Sequence, residues 1–133
     1  MGLMREFTIT LKTEEKRQII DITDMVNARI QKEDVETGAC LIFSHHTTTA
    51  ITIGEMEEGA VQDFLEFIEK VIPAMEFRHA HKPNHAPDHL IGALMGPSVT
   101  IPITDGKLTL GTWQRVMFIE LDGPRERIVS VAL

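Results

Sequence analysis

Residues 98–133 read SVTIPITDGKLTLGTWQRVMFIELDGPRERIVSVAL, and this closing stretch decides the fold. SVTIPI has the make-up of a strand, Asp105-Gly106 is the two-residue signal for a tight hairpin turn, and KLTLGTWQRVMFIEL is long enough to return across a whole sheet. Gly111 in its middle predicts a bulge or a place where something approaches the backbone closely. DGPR at Asp122–Arg125 makes another turn into ERIVSVAL, the final strand.

Working back to the start of the chain, Phe7, Ile9 and Leu11 alternate with Thr8, Thr10 and Lys12, which predicts a half-buried strand. RQIIDI, Arg17 to Ile22, is expected to pair with it as a hairpin across the polar turn at Glu14–Lys16. Thr23 is placed to cap a helix whose Met25, Val26 and Ile30 share a face, with Asp24 near the positive end of its dipole. The apolar run Ala39–Phe43 predicts a central strand that delivers His45 and His46 to its end, and a second run covers Ala50–Ile53. Val61, Phe64, Leu65, Ile68, Val71 and Ile72 form a stripe at spacings of three and four, the clearest helix in the chain, stopped by Pro73. Pro87 fits the first turn of a short helix running through Leu94 and Met95, with His89 in that turn. Strands at both ends and two to three helices between them indicate an α+β fold with a largely antiparallel sheet.

At 133 residues and 43% hydrophobic the chain suits one domain, residues 1–133, with roughly two thirds of its unfolded surface buried. A net charge of −7 with no basic block argues against nucleic acid or an anionic membrane as partner, while a few local arginines can still hold a small anion. Cys40 is the only cysteine, so no disulfide forms within the chain, and its apolar setting points to a buried structural thiol. The N-terminus, MGLMREFTIT, carries no apolar signal core, Gly2 opens no myristoylation signal, and no apolar run is long enough to span a bilayer, so the cytoplasm is the expected location.

Four of the six histidines fall within thirteen residues, RHAHKPNHAPDHL at 78–90, and the other two stand together in SHHTTTA. Three neutral imidazoles from separate segments are the usual way to hold zinc with one position open for water or substrate. The candidates are His45 or His46 at a strand end, His79, His81 or His85 in a loop, and His89 at a helix start. The plainer alternative is that they are polar loop residues. Adjacent His45 and His46 should point to opposite faces of a strand, so one ion should not take both. Glu55 could orient a ligand, bind the ion or act as general base; equally, it could be a first-turn helix acid favoured by the dipole. Asp63 is a helix-face acid with a potential supporting role. Thr47, with Thr48 and Thr49, could donate to an anion or simply reflect β propensity, and Trp113 and Gln114 could stack on and hold a ring, or Trp113 could be core. Arg125 and Arg127 have the fork geometry for phosphate, though such arginines more often meet solvent or a carboxylate, a weaker signal than the histidines.

HHTTTAITIGE, PDHL, GPSVTIPITDGKLTLGTWQ and ELDGPRER closely resemble the YjbQ family, also labelled secondary thiamine-phosphate synthase, and the resemblance extends over essentially the whole chain. It implies a compact, sandwich-like α+β domain assembled as a homotrimer, with a metal site near subunit contacts. Position by position it implies metal ligation by His46, His79 and His89. The family's acid falls on Glu55, beside Gly54 where the family usually carries Asn, and Asp63, Trp113, Gln114 and Arg125 match recurrent positions. His45, His81 and His85 match none and stand as extra polar residues. The implied activity joins a pyrimidine pyrophosphate to a thiazole phosphate. That chemistry ordinarily uses Mg²⁺, whereas three histidines suit Zn²⁺ or another transition metal, so thiamine-phosphate synthesis is expected to be secondary. The expected function is therefore a metal-dependent transferase or hydrolase, most simply with zinc, acting on a small phosphorylated metabolite. The competing expectations are a non-catalytic metal- or phosphometabolite-binding trimer and a structural role for the histidines at the trimer contact.

Overall fold

A computed structural model describes residues 5–79 and 81–133; the N-terminal four residues, on which the myristoylation reading rests, and Ala80 lie outside them. In chain order the elements are β1 (Glu6–Lys12), β2 (Gln18–Asp21), α1 (Thr23–Lys32), β3 (Gly38–Ser44), β4 (Thr49–Gly54), α2 (Glu58–Lys70), α3 (Ala86–Met95), β5 (Ser98–Thr104), β6 (Lys107–Leu108), β7 (Arg115–Glu120) and β8 (Glu126–Ala132). The strands form a five-stranded sheet, β1-β8-β3-β5-β6, and a three-stranded sheet, β2-β7-β4, antiparallel at every pairing. The expected α+β class and antiparallel pairing are what the chain adopts. Among the described residues no helix is long and apolar enough to cross a membrane.

Period-two burial on both sheets builds the first apolar layer. Phe7, Leu11, Cys40, Ile42, Ile101, Ile103, Val129 and Val131 of the large sheet meet Ile51, Val116 and Phe118 of the small one, and Val26 and Ile30 of α1 join the same core. The opposite face of the small sheet presents Ile19, Ala50, Met117 and Ile119 to Ile68 of α2 and Ile91 of α3. β7 is thus covered on both sides, which explains why VMFI is apolar without alternation. β3 does lie centrally, between β8 and β5, yet Leu41 and Phe43 on its outer face remain exposed.

Three local expectations are corrected. β1 and β2 do not form a hairpin: β1 pairs with β8 and β2 with β7. The connection between them is held by the DGPR turn, through Thr13 N–H to Arg125 O at 2.8 Å and Gly123 N–H to Lys16 O at 2.9 Å, and so crosses from one sheet to the other. KLTLGTWQRVMFIEL is likewise not one strand. Pairing of β6 stops after two residues, the Gly111 N–H donates to Gln114 Oε1 at 2.8 Å in a tight loop, and the chain resumes as β7 in the small sheet. Thr23 does not cap α1 with its side chain. Asp21 accepts the Thr23 N–H at 3.0 Å, freeing the Thr23 hydroxyl to accept Val116 N–H at 2.7 Å and tie the helix to β7.

The two sheets are joined at one end by a buried ion pair. Arg127 of β8, 3% exposed, donates through Nε to Glu120 Oε1 at 2.8 Å and through Nη2 to Oε2 at 2.5 Å; Glu120, at the end of β7, is 0% exposed. Thr13 Oγ1 donates to the same carboxylate at 2.7 Å, and Arg127 Nη2 reaches Thr48 Oγ1 at 2.8 Å. Burial by itself would raise the Glu120 carboxyl, but hydrogen bonds from Arg127, Thr13 and the Asp122 amide outweigh it and hold the group below its ordinary 4.5. Removing one partner strands a buried charge, so Arg127→Met should cost about 3–5 kcal/mol in urea unfolding, and Glu120→Leu added to it should recover most of that loss. Because the folded value is depressed, the pair's contribution is complete above pH 4.5 and lost as pH falls through the folded value. The urea midpoint should therefore drop on acidification below that pH, and drop less in the double variant.

Candidate functional site

The ion pair fixes the loop that follows β3. Thr48 O accepts Leu121 N–H at 3.1 Å, and Ser44 Oγ and Thr49 Oγ1 share a hydrogen bond of 2.6 Å. His45 and His46 diverge from this turn. His45 Nε2 lies 2.6 Å from Ser130 Oγ, its ring edge-on to Phe43, while His46 Nε2 accepts the Ile128 N–H at 2.9 Å. α3 packs directly on the same turn because Gly92 has no side chain: a Cβ there would stand 2.9 Å from Thr49 O and 3.0 Å from Thr47 O. One turn before Gly92, His89 stacks on His79 with ring centroids 4.7 Å apart.

All six histidines line one cavity of about 390 Å³. Thr47, Thr48, Lys82, Asp122, Arg125 and Arg127 complete its lining. His79 Nδ1 is buried without a hydrogen-bond partner, a nitrogen left in want of a ligand. Burial, followed by the Arg127 charge, lowers the pKa of His46 and favours its neutral form, the form a metal ligand needs. Two features weigh the other way. With Nε2 accepting from Ile128, neutral His46 carries its proton on Nδ1, so it can take a metal only by giving up that bond. Among the described residues, the trio whose potential ligand atoms lie within 4.8 Å of one another is His85, Asp88 and Asp122 rather than His46, His79 and His89.

That trio is already neutralised. The Asp88 oxygens take Lys16 Nζ at 2.8 Å and Arg17 Nη2 at 2.9 Å, and those of Asp122 take Lys16 Nζ at 3.2 Å, His85 Nδ1 at 3.0 Å and Arg125 Nη2 at 3.1 Å. Burial pushes the Asp122 carboxyl up, but Lys16 and His85 together hold it below its ordinary 3.8. The cluster serves to pin the first turn of α3, and with it His89, to the β1–β2 connection.

Of the sequence candidates, His46, His79, His89, Thr47 and Arg125 share this cavity. Arg127 lines it too, but its guanidinium is committed to Glu120. Glu55 and Trp113 line another, acidic cleft with Asp21, Glu57 and Arg115. β4 separates the two regions: Thr49 pairs with Glu120 at the histidine end and Gly54 with Arg115 at the other, five residue steps or about 17 Å. Asp63 is exposed on α2, and Gln114 is exposed with its amide oxygen closing the loop that presents Trp113, itself 74% exposed. Cys40 is buried, which pushes its thiol up to about 11, as a structural cysteine requires. The sequence reading passed over Gly92, the Glu120–Arg127 pair and the His85–Asp122 contact. A glycine in the middle of a helical apolar run was the one available signal, for the first of these.

Two antiparallel sheets backed by helices, with histidines gathered where β3, α3 and the DGPR turn meet, define a class of small α+β domains. Within that class the chain belongs to the YjbQ family, whose sequence model, described as "UPF0047 protein YjbQ-like", matches residues 7–133. A UPF0047 protein from Archaeoglobus fulgidus is 46% identical over 124 residues, covering 92% of this chain and 96% of its own, and YugU from Bacillus subtilis is 36% identical over 127 residues, covering 95% and 96%. The crystal structure of a YbjQ-like protein of unknown function from Sulfolobus solfataricus superposes with a TM-score of 0.91 at 35% identity, covering 98% of this chain and 96% of that one.

Replacing a mid-helix glycine by alanine ordinarily stabilises by about 0.5–1 kcal/mol. At Gly92 the sign should reverse, since the new methyl meets backbone carbonyl oxygens that cannot yield cheaply. Gly92→Ala should cost about 1–3 kcal/mol in urea unfolding.

Proposed function

We propose that this protein is a metal-dependent enzyme acting on a small phosphorylated metabolite in the histidine-lined cavity. The observation that carries this reading is the joining, in about 390 Å³, of six imidazoles with Lys82, Arg125 and Arg127. A divalent transition metal, zinc first, would be held by His46, His79 and His89 and, when bound, would polarise a phosphate oxygen or a water. Arg125 is half exposed, its Nε on Asp122 O and Nη2 on Asp122 Oδ2, which fixes the guanidinium while its remaining edge faces the anion. The Thr47 hydroxyl adds a donor, and Arg127 contributes its field from behind. Thiamine-phosphate synthesis fits as a side activity of a cavity that takes phosphates beside a soft metal site.

Glu55 and Trp113 enter this reading through a second copy of the chain, with Gln114 bracing the loop that carries Trp113, while Asp63, exposed on α2, lines neither region. The acidic Glu55–Trp113 cleft and the cationic cavity lie at opposite ends of β4, so a homotrimer could bring the cleft of one chain to the cavity of the next. The competing reading, binding without chemistry, is favoured by one observation. Among the described residues the only carboxylate lining the cavity is Asp122, which is committed to ion pairs and unsuited to act as a base.

Elemental analysis of the purified chain should find about one zinc or similar ion per chain, lost in His89→Ala, with the native mass remaining that of a trimer. Arg125→Ala should weaken binding of inorganic phosphate by about 10-fold or more while leaving metal content unchanged, the loss of a charge-assisted hydrogen bond. A chain that neither contains nor takes up metal would overturn the metal reading, and phosphate binding that ignores Arg125 would overturn the substrate class.

A further inference from the structure

A cavity that processes a phosphorylated substrate needs a group to accept and return a proton, and within one chain neither Glu55 nor Asp122 is placed to do so. The imidazoles differ in how far they are already committed. His45 Nε2 is held by Ser130, His46 Nε2 by the Ile128 amide, and His79 and His89 stack on each other as proposed ligands. His81 is exposed in the loop. His85 is different: its Nδ1 lies 3.0 Å from Asp122 Oδ2, and the ring lines the cavity.

The direction of that hydrogen bond follows from its surroundings. Asp122 is also gripped by Lys16 and Arg125, which keep it a carboxylate and therefore an acceptor, so His85 Nδ1 must carry the hydrogen. In the neutral ring the lone pair then sits on Nε2. The His85 side chain is 25% exposed, its Nδ1 is taken by Asp122, and among the described residues no hydrogen bond engages its Nε2, the nitrogen left for a ligand of the cavity. We propose that His85 is the proton acceptor of the cavity and Asp122 its positioning residue. In the transfer, an O–H bond of the bound phosphate group or water breaks, its proton bonds to His85 Nε2, and the electron pair stays on the oxygen; the reverse step returns the proton. Asp122 remains ionised and moves no proton. This proposal takes its ligand from the function proposed above, but the dyad stands on its own geometry.

The test is nitrogen-15 spectroscopy on the full-length, histidine-labelled protein, with His85→Gln assigning the resonances and inorganic phosphate as probe. His85 should show a protonated Nδ1 and an unprotonated Nε2, and phosphate should move the Nε2 resonance. In Asp122→Asn the amide NH₂ turned toward the ring should reverse the tautomer. A wild-type ring protonated on Nε2 overturns the proposal, and so does an Nε2 resonance that stays still while other cavity histidines respond to phosphate. If phosphate moves no histidine resonance, the anion reading of the cavity fails instead, and diethyl pyrocarbonate decides the dyad. Carbethoxylation of His85 Nε2 should slow at least tenfold in Asp122→Asn, and an unchanged rate overturns the proposal. Because His85→Gln leaves the Asp122 ion pairs in place, it should fold and retain its metal, separating a proton-accepting role from a merely structural one.

Discussion

Three of the loops around the histidine-lined cavity converge on the buried pair between Arg127 and Glu120. A charge taken so far out of water is tolerated only when its partners are complete, and here they are: two guanidinium contacts, the Thr13 hydroxyl and the Asp122 amide on the carboxylate, with Thr48 on the guanidinium. Each partner comes from a different connection. Thr13 belongs to the β1–β2 link, Thr48 to the β3–β4 turn and Asp122 to the β7–β8 turn, so one neutralised core converges three loops that the strand ladders leave loose. These are the loops that carry His46, Arg125 and the Lys16–Arg17 contacts to α3. Specificity of loop placement, more than net stability, is what such a pair contributes, since an apolar substitute of matching shape could be equally stable.

A second tier of charge extends this frame outward. Lys16 and Arg17 bridge the β1–β2 link to Asp88, 1% exposed in the first turn of α3, and Lys16 also reaches Asp122. Asp88 is favoured there by the helix dipole as well as by its cations. Behind it, Gly92 lets the helix axis approach the Thr47–Thr49 backbone. Ion pairs at the first turn and close contact at the middle leave α3 little freedom to slide, and His89 on that helix inherits the constraint.

What the sequence disclosed follows from range. Patterns that depend on neighbours three or four residues apart were legible: the α2 stripe from Val61 to Ile68, Pro87 at the start of α3, the Asp105-Gly106 turn and the period-two strands lie where periodicity and turn chemistry put them, whereas Val71 falls beyond the end of α2 and is half exposed. Partner choice was not. Hydrophobic alternation states that Phe7 and Leu11 face a core but not whose, and the crossing of the β1–β2 link from one sheet to the other, held by hydrogen bonds between Thr13, Lys16 and the β7–β8 turn, has no local signature. The same limit applies to the site. Histidine clustering identified the cavity, and family resemblance added candidates along the chain, but neither carries the length of β4, about 17 Å from Thr49 to Gly54, that sets the Glu55 cleft apart from the histidine cavity. His85 matches no recurrent family position, and its contact with Asp122 spans thirty-seven positions that no local pattern connects.

The His46 ring makes the cavity sensitive to what it holds. Its Nε2 accepts the Ile128 amide, anchoring β8 to the turn after β3. Should an ion take that ring, the amide must find water or another acceptor, at a net cost of about 1 kcal/mol, far less than a transition metal gains from three imidazoles. A dication would also add to the positive charge of Lys82, Arg125 and Arg127, offset within the lining by Asp122 and from behind by Glu120. A bound phosphate would relieve that repulsion. On the proposed function, then, metal and anion should each raise the other's affinity by the same factor, since linkage between two binding equilibria is reciprocal. The cationic lining would weaken metal binding to the empty cavity and strengthen it once the anion is in place.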